Sequence, residues 1–362
     1  MENLDHINPN KDFWKNKNVL LTGHTGFKGS WLSIWLNSLG ANVFGIALEP
    51  TSIPSLFDIA KISSLVSHNF GDIRRLGNVV NVFEESQPEI VIHMAAQPLV
   101  RRSYDDPIET YETNIMGTIN VLEAARRANS VKAIVNVTTD KCYENREWHW
   151  SYRENEAMGG HDPYSSSKGC VELVSQAYRK SFLESEGIAM ATARAGNVIG
   201  GGDWSDERLV PDVLLGIQKY GAVELRNPNS IRPWQHVLEP INAYLLLAEK
   251  LYQSGTEFAE GWNFGPHDSD IISVREIAET IGAIWGKSLI LKQQPGKHPH
   301  EANILRLDTS KARDRLKWKP RWSTKSALRK IVEWQVAYIN DENMLEVCRS
   351  QIYDFTETKV YS

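Results

Sequence analysis

The chain contains few cysteines, and their positions argue against two kinds of covalent support. Only three occur among 362 residues, Cys142, Cys170 and Cys348. They cannot all pair with one another, and they lack the close paired spacing of zinc-binding motifs. We therefore expect neither a disulfide framework nor a metal site, and we expect the protein to work in a reducing compartment, the cytoplasm.

Long hydrophobic runs and long basic runs are also missing. No stretch of about 18 consecutive apolar residues is available to span a bilayer, and residues 1–14 lack the apolar segment of a signal peptide. Lys and Arg number 40 against 45 Asp and Glu, which gives a formal net charge of −5. Neither a membrane nor a nucleic acid is therefore expected as a partner.

What the chain does contain is an alternation of short apolar strands and longer helices, without an internal repeat. This pattern is typical of an α/β protein with a Rossmann-type, doubly wound parallel sheet and right-handed crossovers. The strands are predicted at 18–22, 42–47, 90–93, 133–138 and 189–194, and the helices between Gly29 and Gly40, at 75–86 and at about 107–128.

A glycine-spaced turn follows the first predicted strand. The segment Gly23-His-Thr-Gly-Phe-Lys-Gly29 matches G-x-x-G-x-x-G between a strand and a helix. Backbone N–H groups and the positive helix end at such a turn bind a dinucleotide pyrophosphate. A glycine-rich loop without a ligand is the alternative, and the flanking strand and helix argue against it. The predicted cofactor contacts in this turn are Gly23, Thr25, Gly26, Phe27, Lys28 and Gly29.

The adenosine end of the cofactor is less clearly marked in the sequence. Glu49 lies about 20 positions after the turn, where an acidic residue commonly binds the ribose, but it falls beyond the expected strand end. Because no arginine stands there to hold a 2′-phosphate, the sequence predicts NAD rather than NADP. Asp72 and Ile73, after the next apparent strand, are predicted to contact the adenine, with a plain surface turn as the alternative.

A tyrosine and a lysine one helical turn apart supply the candidate proton chemistry. Asp162-Pro163 begins a helix, which places Tyr164 and Lys168 at i and i+4 on one face. The positive charges of Lys168 and of a bound nicotinamide would stabilise the phenolate, so that Tyr164 can accept an alcohol proton near neutral pH. Residues 138–139, at the end of the preceding strand, are placed to hydrogen-bond the reacting oxygen.

Together these motifs resemble the extended short-chain dehydrogenase/reductase superfamily and, within it, the nucleotide-sugar 4,6-dehydratases. The resemblance covers roughly residues 15–340 and implies that Ala95, Gln97, Tyr164 and Lys168 also contact NAD. It is carried by Gly23–Gly29, His93–Gln97, Asn114–Gly117, Thr138–Lys141, Tyr164–Lys168, Arg194–Asn197, Arg232–Val237, Trp262–Gly265 and Arg306–Asp308.

The resemblance also implies the reaction. Tyr164 would remove the proton of the 4-hydroxyl while hydride passes from C4 to NAD. Water would then leave across C5 and C6, and hydride would return to C6, so no external oxidant is consumed. Thr139 and Lys168 would assist Tyr164.

One pair of residues departs from many relatives, which carry Asp-Glu after the threonine. Here the pair is Asp140-Lys141. Asp140 is expected to protonate the 6-hydroxyl. Lys141 is expected either to remove the C5 proton or to stabilise the enolate while another group takes that proton, and the sequence leaves both open.

The substrate end needs cations and hydrogen-bond donors for a nucleoside diphosphate. The predicted contacts are Asn197, Arg208, Arg232 and Arg306, and residues expected around the base are Pro211, Leu225, Asn227 and Trp234. The runs 48–57 and 231–236 are most similar to dehydratases that act on CDP-glucose. The resemblance therefore implies this substrate, for deoxysugars of bacterial lipopolysaccharide O-antigen.

The composition changes near Gly200, where loops rich in Pro, Asn and Trp begin. We expect residues 1–195 to form the NAD-binding domain, with re-entrant segments near 232–252 and 262–268. Residues 196–362 would mainly form a smaller C-terminal α/β substrate lobe, with helices near 239–252, 273–285 and 324–339.

Other functions share these motifs. A nucleotide-sugar 4-epimerase would use the same tyrosine, lysine and NAD, but it needs no acid such as Asp140. A dehydratase of another NDP-hexose and a non-catalytic NAD-binding regulator are further alternatives, although the latter typically loses the tyrosine or the lysine. The resemblance also implies a homodimer through the Tyr164 helix and leaves open whether dimers pair into tetramers.

Overall fold

A computed structural model of the protein describes residues 8–287, 289–293 and 304–358. The strands are β1 (Asn18–Thr22), β2 (Asn42–Ala47), β3 (Ser67–Phe70), β4 (Ile90–His93), β5 (Ala133–Val137), β6 (Ala189–Ala195), β7 (Val198–Ile199), β8 (Ala222–Leu225), β9 (Ile231–Arg232), β10 (Gln235–His236), β11 (Gly261–Phe264), β12 (Ile272–Ser273) and β13 (Ile290–Gln293).

The α-helices are α1 (Lys11–Trp14), α2 (Phe27–Ser38), α3 (Leu56–Ile59), α4 (Leu76–Ser86), α5 (Val100–Asp105), α6 (Pro107–Tyr111), α7 (Gly117–Arg127), α8 (Pro163–Tyr178), α9 (Leu209–Lys219), α10 (Leu238–Ser254), α11 (Val274–Trp285), α12 (Ser310–Arg315), α13 (Thr324–Ile339) and α14 (Met344–Glu357). Two π-helical segments, Glu112–Met116 and Arg179–Leu183, continue α6 and α8.

Seven parallel strands form the central sheet in the order β11-β6-β5-β4-β1-β2-β3. The chain builds outward from β1 to β3, returns to β4 beside β1, and then builds in the other direction. This reversal leaves a crevice at the carboxyl ends of β1 and β4, the place where ligands bind in open α/β sheets. The predicted Rossmann-type doubly wound sheet is confirmed.

Helices cover both faces of the sheet because its strands are apolar on both sides. In β1, Val19 and Leu21 enter the core under α2 and α10, whereas Leu20 enters the core under α4 and α7. Successive side chains of a strand point to opposite faces, and a parallel sheet buries both of them. The continuous apolar run in the sequence therefore corresponds to a strand with no solvent-exposed face.

A smaller hydrophobic cluster lies beyond the sheet. It is formed by α9, α11 and α13 around β8, with Val213, Leu225, Ile277 and Leu328 among its buried residues. The last helix, α14, packs on α2 and α13 instead, and its Phe355 belongs to the core under α2. The division into two domains at residue 195 stays a prediction.

Two further features bear on the sequence expectations. All three cysteines are free, with Cys142 and Cys348 buried. No helix in the described part of the chain is long and apolar enough to cross a membrane.

Candidate active site

The glycine turn connects β1 to α2 and leaves the start of that helix open. Gly23 has a φ of +79°, and a Cβ placed on it would lie 2.9 Å from the backbone nitrogen of Ala95. A Cβ on Gly29 would lie 2.1 Å from the Gly23 carbonyl oxygen, so helix and turn touch. Gly26 caps α2 without a side-chain hydrogen bond. The first-turn N–H groups are therefore available to an anion, which fits a dinucleotide pyrophosphate.

Other predicted cofactor residues also surround this turn. The Thr25 hydroxyl donates to the Leu48 carbonyl oxygen at 2.8 Å, which fixes the turn against the end of β2. Phe27 is partly buried and packs on the core under α2. Lys28 points into the cleft described below. Burial and the charges of Lys168 and Arg208 lower the pKa of Lys28 to about 7.

The residues predicted at the adenosine end lie beyond β2 and β3. Glu49 is exposed, two residues after β2 ends. Asp72 accepts a hydrogen bond from the Arg74 backbone at 2.9 Å and forms an ion pair with its guanidinium at 2.7 Å. Burial opposes ionisation of Asp72, but Arg74 outweighs it and holds the pKa below its usual range. Ile73 is buried against Gly117, so it contributes packing.

The loop after β4 holds Ala95 and Gln97. The Gln97 amide donates to the Leu99 carbonyl oxygen at 3.1 Å and to the Thr110 hydroxyl at 2.8 Å, and its oxygen accepts from the Leu99 N–H at 2.6 Å. Its side chain therefore shapes the loop from within. Asn114, in a π-helical segment, accepts from the Gln97 N–H and donates to Ser167 on α8 at 2.8 Å.

Helix α8 carries the candidate catalytic tyrosine and lysine. Its N-cap, Asp162, accepts from the Ser165 N–H at 2.9 Å, and both Tyr164 and Lys168 are buried. The Lys168 ammonium donates to the Val137 carbonyl oxygen at 3.4 Å. Burial lowers the pKa of Lys168 to about 8 against the opposing charge of Glu172.

The protein on its own keeps the tyrosine neutral. Burial raises the pKa of Tyr164 to about 12, against the opposing hydrogen bond to Thr139. A phenolate at neutral pH therefore needs a positive charge that the protein alone does not provide. The nicotinamide charge assumed in the sequence argument is of this kind.

A short turn after β5 presents Thr139, Asp140 and Lys141. The Thr139 hydroxyl accepts from the Lys141 N–H at 3.3 Å and donates to Asp140 Oδ1 at 3.0 Å. Asp140 is only 1% exposed, and its Oδ2 atom has no hydrogen-bond partner among the described residues. Because a buried unpaired carboxylate oxygen is costly, this atom is suited to a ligand hydroxyl.

A cleft between the sheet and the smaller cluster brings together the predicted catalytic and substrate-binding residues other than Lys168 and Arg306. It is lined by Lys28, Thr139, Asp140, Lys141 and Tyr164 from the sheet side, and by Asn197, Arg208, Pro211, Leu225, Asn227, Arg232 and Trp234 from the other side. Arg306 lies outside this lining set of described residues, and its backbone oxygen accepts from the Tyr152 N–H at 2.9 Å.

The side of the cleft formed by the smaller cluster is rich in cations, and one of them, Arg208, is near enough to act electrostatically on Lys28 and Tyr164. Arg232 is buried at the end of β9, and its guanidinium donates to the Ile231 carbonyl oxygen at 3.0 Å. Arg208 caps α9 and pairs with Asp203 at 3.4 Å. The Asn197 side-chain oxygen is buried and has no partner in the part of the chain that the structure describes. These groups can hold a diphosphate, as the sequence predicted.

Sequence reasoning missed several lining residues. Arg101, Asp203, Asp212 and Arg226 also face the cleft, but none belongs to a motif. Only Asp212 could have been noticed in the sequence. It follows Pro211, three residues after Leu209 at the start of α9, and a carboxylate in the first turn of a helix is favourable.

Behind the catalytic residues lies a buried polar network that no motif predicts. Glu172 pairs with Arg194 at 2.7 Å and accepts from the Thr138 hydroxyl at 2.5 Å. Arg194 also donates to the Tyr143 hydroxyl at 2.7 Å, which in turn donates to Asn263 on β11 at 2.7 Å. The network joins β5, β6, α8 and β11 next to Lys168.

The polar-aromatic segment 144–161 is tied into this network. Asn263 donates to the Tyr152 carbonyl oxygen at 2.9 Å, and Glu154 accepts from the Asn263 N–H at 3.0 Å. Tyr152 stacks on Tyr143. These contacts fix the segment to the sheet.

Comparison with known proteins places the chain among sugar-nucleotide enzymes. It is 52% identical over 350 residues to the CDP-glucose 4,6-dehydratase of Salmonella typhimurium, covering 95% of this chain and 98% of that protein. Two solved structures share the fold at 22% identity. The UDP-glucose 4-epimerase of Thermotoga maritima with UDP-glucose has a TM-score of 0.78, with 89% and 99% coverage. The dTDP-glucose 4,6-dehydratase of Streptomyces venezuelae with NAD and TYD bound has a TM-score of 0.76, with 90% and 99% coverage.

A comparison with a protein-family model also places the chain among sugar-nucleotide enzymes. The GDP-mannose 4,6 dehydratase family model matches residues 20–331, which include the glycine turn, the Asp140 turn, α8 and the cation-rich end of the cleft. The length of this match and the 52% identity over nearly the whole chain show that the protein belongs to the GDP-mannose 4,6 dehydratase family.

Proposed function

We propose that the protein converts CDP-D-glucose to CDP-4-dehydro-6-deoxy-D-glucose and water, with NAD as a tightly bound cofactor, for deoxysugar and O-antigen biosynthesis. The observation that carries this proposal is the single cleft that holds Asp140, Lys141 and Tyr164 together with Arg208 and Arg232. The extensive identity to the Salmonella typhimurium CDP-glucose 4,6-dehydratase supports the substrate.

The two sides of the cleft divide the work. Residues 1–195, with re-entrant segments near 232–252 and 262–268, would hold NAD, and residues 196–362 would mainly hold the nucleotide sugar. The pairing of β11 with β6 and the packing of α10 on β5 support the re-entrant segments. The uncapped start of α2 would receive the NAD pyrophosphate.

The first step is loss of the 4-hydroxyl proton to Tyr164. NAD, when bound, supplies a hydride acceptor for C4 and later a donor for C6. Thr139 hydrogen-bonds the tyrosine hydroxyl, and Lys168 lies one turn further along α8, where its ammonium donates to the Val137 carbonyl oxygen. Their role is to stabilise the phenolate that accepts this proton, before the transfer takes place.

The second step removes water from the 4-keto sugar. The C5–H bond breaks, the electron pair forms the C5–C6 double bond, and the C6–O bond breaks as the leaving hydroxyl gains a proton from Asp140. Asp140 Oδ2 is a cleft oxygen without a hydrogen-bond partner among the described residues. Lys141, also in the cleft, either takes the C5 proton or stabilises the enolate.

Incubating the purified protein with CDP-glucose and no added oxidant tests this function. We expect the alkaline ultraviolet absorbance of a 4-keto sugar to rise for many turnovers. A 4-epimerase would give CDP-galactose without that absorbance, and a non-catalytic regulator would bind NAD without changing the sugar. Either result would reject the proposal. Parallel assays with UDP-glucose and dTDP-glucose test the alternative of another NDP-hexose.

We also propose that the protein forms a homodimer through α8, with pairing into tetramers as a further step. Leu173 on α8 is 57% exposed and Ile108 on the neighbouring α6 is 70% exposed. Leu173→Glu should convert the dimer to a monomer in sedimentation velocity. The control Leu215→Glu, at an exposed position of α9, should leave the dimer intact. A dimer that survives Leu173→Glu would contradict this interface.

The proposed location is the cytoplasm. The three free thiols, two of them buried, are compatible with a reducing compartment.

A further inference from the structure

The lining of the cleft includes a set of apolar side chains, which we call the apolar slot. Its walls include Pro211, Leu225 and Trp234, and the last two are buried. The slot lies beside the cations Arg208 and Arg232, where a nucleoside diphosphate would end. Apolar walls of this kind accept the faces of any pyrimidine ring, so they cannot by themselves distinguish cytosine from uracil or thymine.

Two polar groups in this slot remain without hydrogen-bond partners in the described part of the chain. The Trp234 Nε1 atom is buried and unpaired. The Asp212 carboxylate is half-buried on α9, and only its backbone N–H is engaged, at 3.1 Å from the Arg208 carbonyl oxygen. One is a donor and the other, when charged, is only an acceptor.

The other carboxylates on this side of the cleft are engaged in ion pairs or exposed to water. Asp206 is exposed. Asp203 pairs with Arg208 and accepts from the Ser205 N–H at 3.0 Å. Glu207 pairs with Arg101 at 2.9 Å. Glu224 is exposed and precedes Leu225 in β8, so the two side chains point to opposite faces of the strand. Asp212 is therefore the carboxylate best placed to meet a base.

The pyrimidine bases differ at ring position 4. Cytosine carries an amine there, which donates hydrogen bonds, whereas uracil and thymine carry a carbonyl oxygen, which accepts them. A carboxylate accepts from the cytosine amine but repels a carbonyl oxygen. All three bases carry the same acceptor at position 2, which a donor such as Trp234 Nε1 would bind without discrimination.

We propose that Asp212 selects cytidine nucleotides by accepting a hydrogen bond from the exocyclic amine of the base. This inference rests on the proposed function, because it assumes a pyrimidine nucleotide sugar in the cleft, and it names the residue that reads the base.

The charge of Asp212 adds a pH dependence to this selectivity. Burial raises the pKa of Asp212 to about 6, with Arg226 opposing and Glu207 and Asp206 adding to the shift. Above this pH the carboxylate favours an amine. Below it the protonated carboxyl can also donate to a carbonyl oxygen, so the preference for cytidine should fall as the pH falls through about 6.

The test compares CDP and UDP binding by calorimetry in the wild type, Asp212→Asn and a control, Glu279→Gln. Glu279 is an exposed carboxylate of α11 outside the cleft, so the control removes the same charge elsewhere. Asp212→Asn can both accept and donate. It should reduce the ratio of CDP to UDP affinity by about 10- to 100-fold, the range for a hydrogen bond to a charged group. Glu279→Gln should leave the ratio unchanged.

A second variant and a pH series guard against misfolding. Asp212→Ser should also lose the preference, and thermal unfolding reports whether either variant is folded. The wild-type ratio should be lower at pH 5 than at pH 8, and Asp212→Asn should remove this difference. A ratio that stays within twofold of the wild type in either folded variant would overturn the proposal.

Failure of the proposed function looks different. One outcome is that the wild type fails to turn over CDP-glucose but still prefers CDP in calorimetry, and Asp212→Asn removes that preference. In that case the proposed reaction is wrong and the role of Asp212 in recognising the base stands. If turnover proceeds and the ratio is insensitive to Asp212, the reaction stands and the base reading is wrong.

Discussion

The two ends of the cleft are built in different ways. At the catalytic end, Tyr164 and Lys168 lie on α8, and Asp140 lies in the turn after β5. The buried Glu172–Arg194 pair packs behind them. At the nucleotide end, β9 and β10 have two residues each. Asn197 and Trp234 there have buried polar atoms without partners among the residues described.

This difference matches the two tasks. A proton moves only when donor and acceptor are held at hydrogen-bond distance, so the catalytic end is fixed before the substrate arrives. Binding is strengthened when the ligand satisfies groups that were left unpaired. Among the described residues, Asn197 and Trp234 offer such groups to the nucleotide, whereas Asp140 Oδ2 offers one to the reacting sugar. Changes at the catalytic end should therefore affect rate and stability, and changes at the nucleotide end should affect affinity.

The largest expected effect belongs to the phenol. Tyr164→Phe removes the group that accepts the 4-hydroxyl proton, and turnover of CDP-glucose should fall by about 10⁴-fold. Calorimetric binding of CDP should change less than about twofold, because CDP lacks the sugar whose 4-hydroxyl Tyr164 would contact. Full turnover in this variant, or an equal loss of rate and of CDP affinity, would break the distinction between the two ends.

The next effect concerns the ion pairs behind each end. Glu172→Gln leaves Arg194 buried without its charge partner, and the free energy of unfolding should fall by about 3–5 kcal/mol. Arg208→Gln removes a 3.4 Å pair whose arginine is partly exposed, and the buried Asp203 keeps the hydrogen bond from the Ser205 N–H, so the change should cost less than about 1 kcal/mol. Urea unfolding of both variants measures the contrast. Equal losses would mean that the two ends are equally rigid.

Lys141 sharpens the chemistry of the catalytic end. If Lys141 is the C5 base, Lys141→Met should lower turnover by about 10²-fold and abolish deuterium exchange at C5 from solvent. Reduced cofactor should still form in a single turnover, since Tyr164 is intact. Continued exchange at C5 would instead assign Lys141 to stabilisation of the enolate.

The smallest effect is a pH dependence of stability. Burial and then the charge of Lys168 lower the pKa of His93 to about 3 from 6.5. Between these values the unfolded chain binds more protons than the folded protein, so the unfolding free energy falls as the pH drops below 6.5. At pH 5 His93 should cost about 2 kcal/mol relative to pH 7. His93→Gln should flatten the stability curve by that amount in urea unfolding at the two pH values.

Much of the sheet could be predicted from the sequence, because its strands are apolar on both faces. The structure reproduces the predicted bounds of β1, β2 and β4, and α13 spans the predicted 324–339. The predicted helix at about 107–128 is instead divided into α6, a π-helical segment and α7. The spacing of hydrophobic residues does not reveal the extra residue of a π-helical turn. This segment nevertheless matters, because it positions Asn114 between Gln97 and Ser167.

The site could be predicted where it depends on local motifs. The glycine turn and the tyrosine and lysine on α8 are each set by spacing within one element. The Glu172 network could not be found this way, because its partners are up to about 120 residues distant in sequence, as in the bond of Tyr143 to Asn263. Asp212 could not be found either, because the residues that share the cleft with it come from other elements. Two-residue strands such as β9 carry no periodicity either.

The bond between Tyr143 and Asn263 also bears on how the protein is made. Asn263 lies on β11, one of the two edge strands of the sheet, and it anchors the segment that follows the Asp140 turn. During synthesis this strand leaves the ribosome only after more than two thirds of the chain has been translated. A truncated polypeptide that ends before β11 would carry the glycine turn and both residues of α8, yet the framework behind them would lack its outer support.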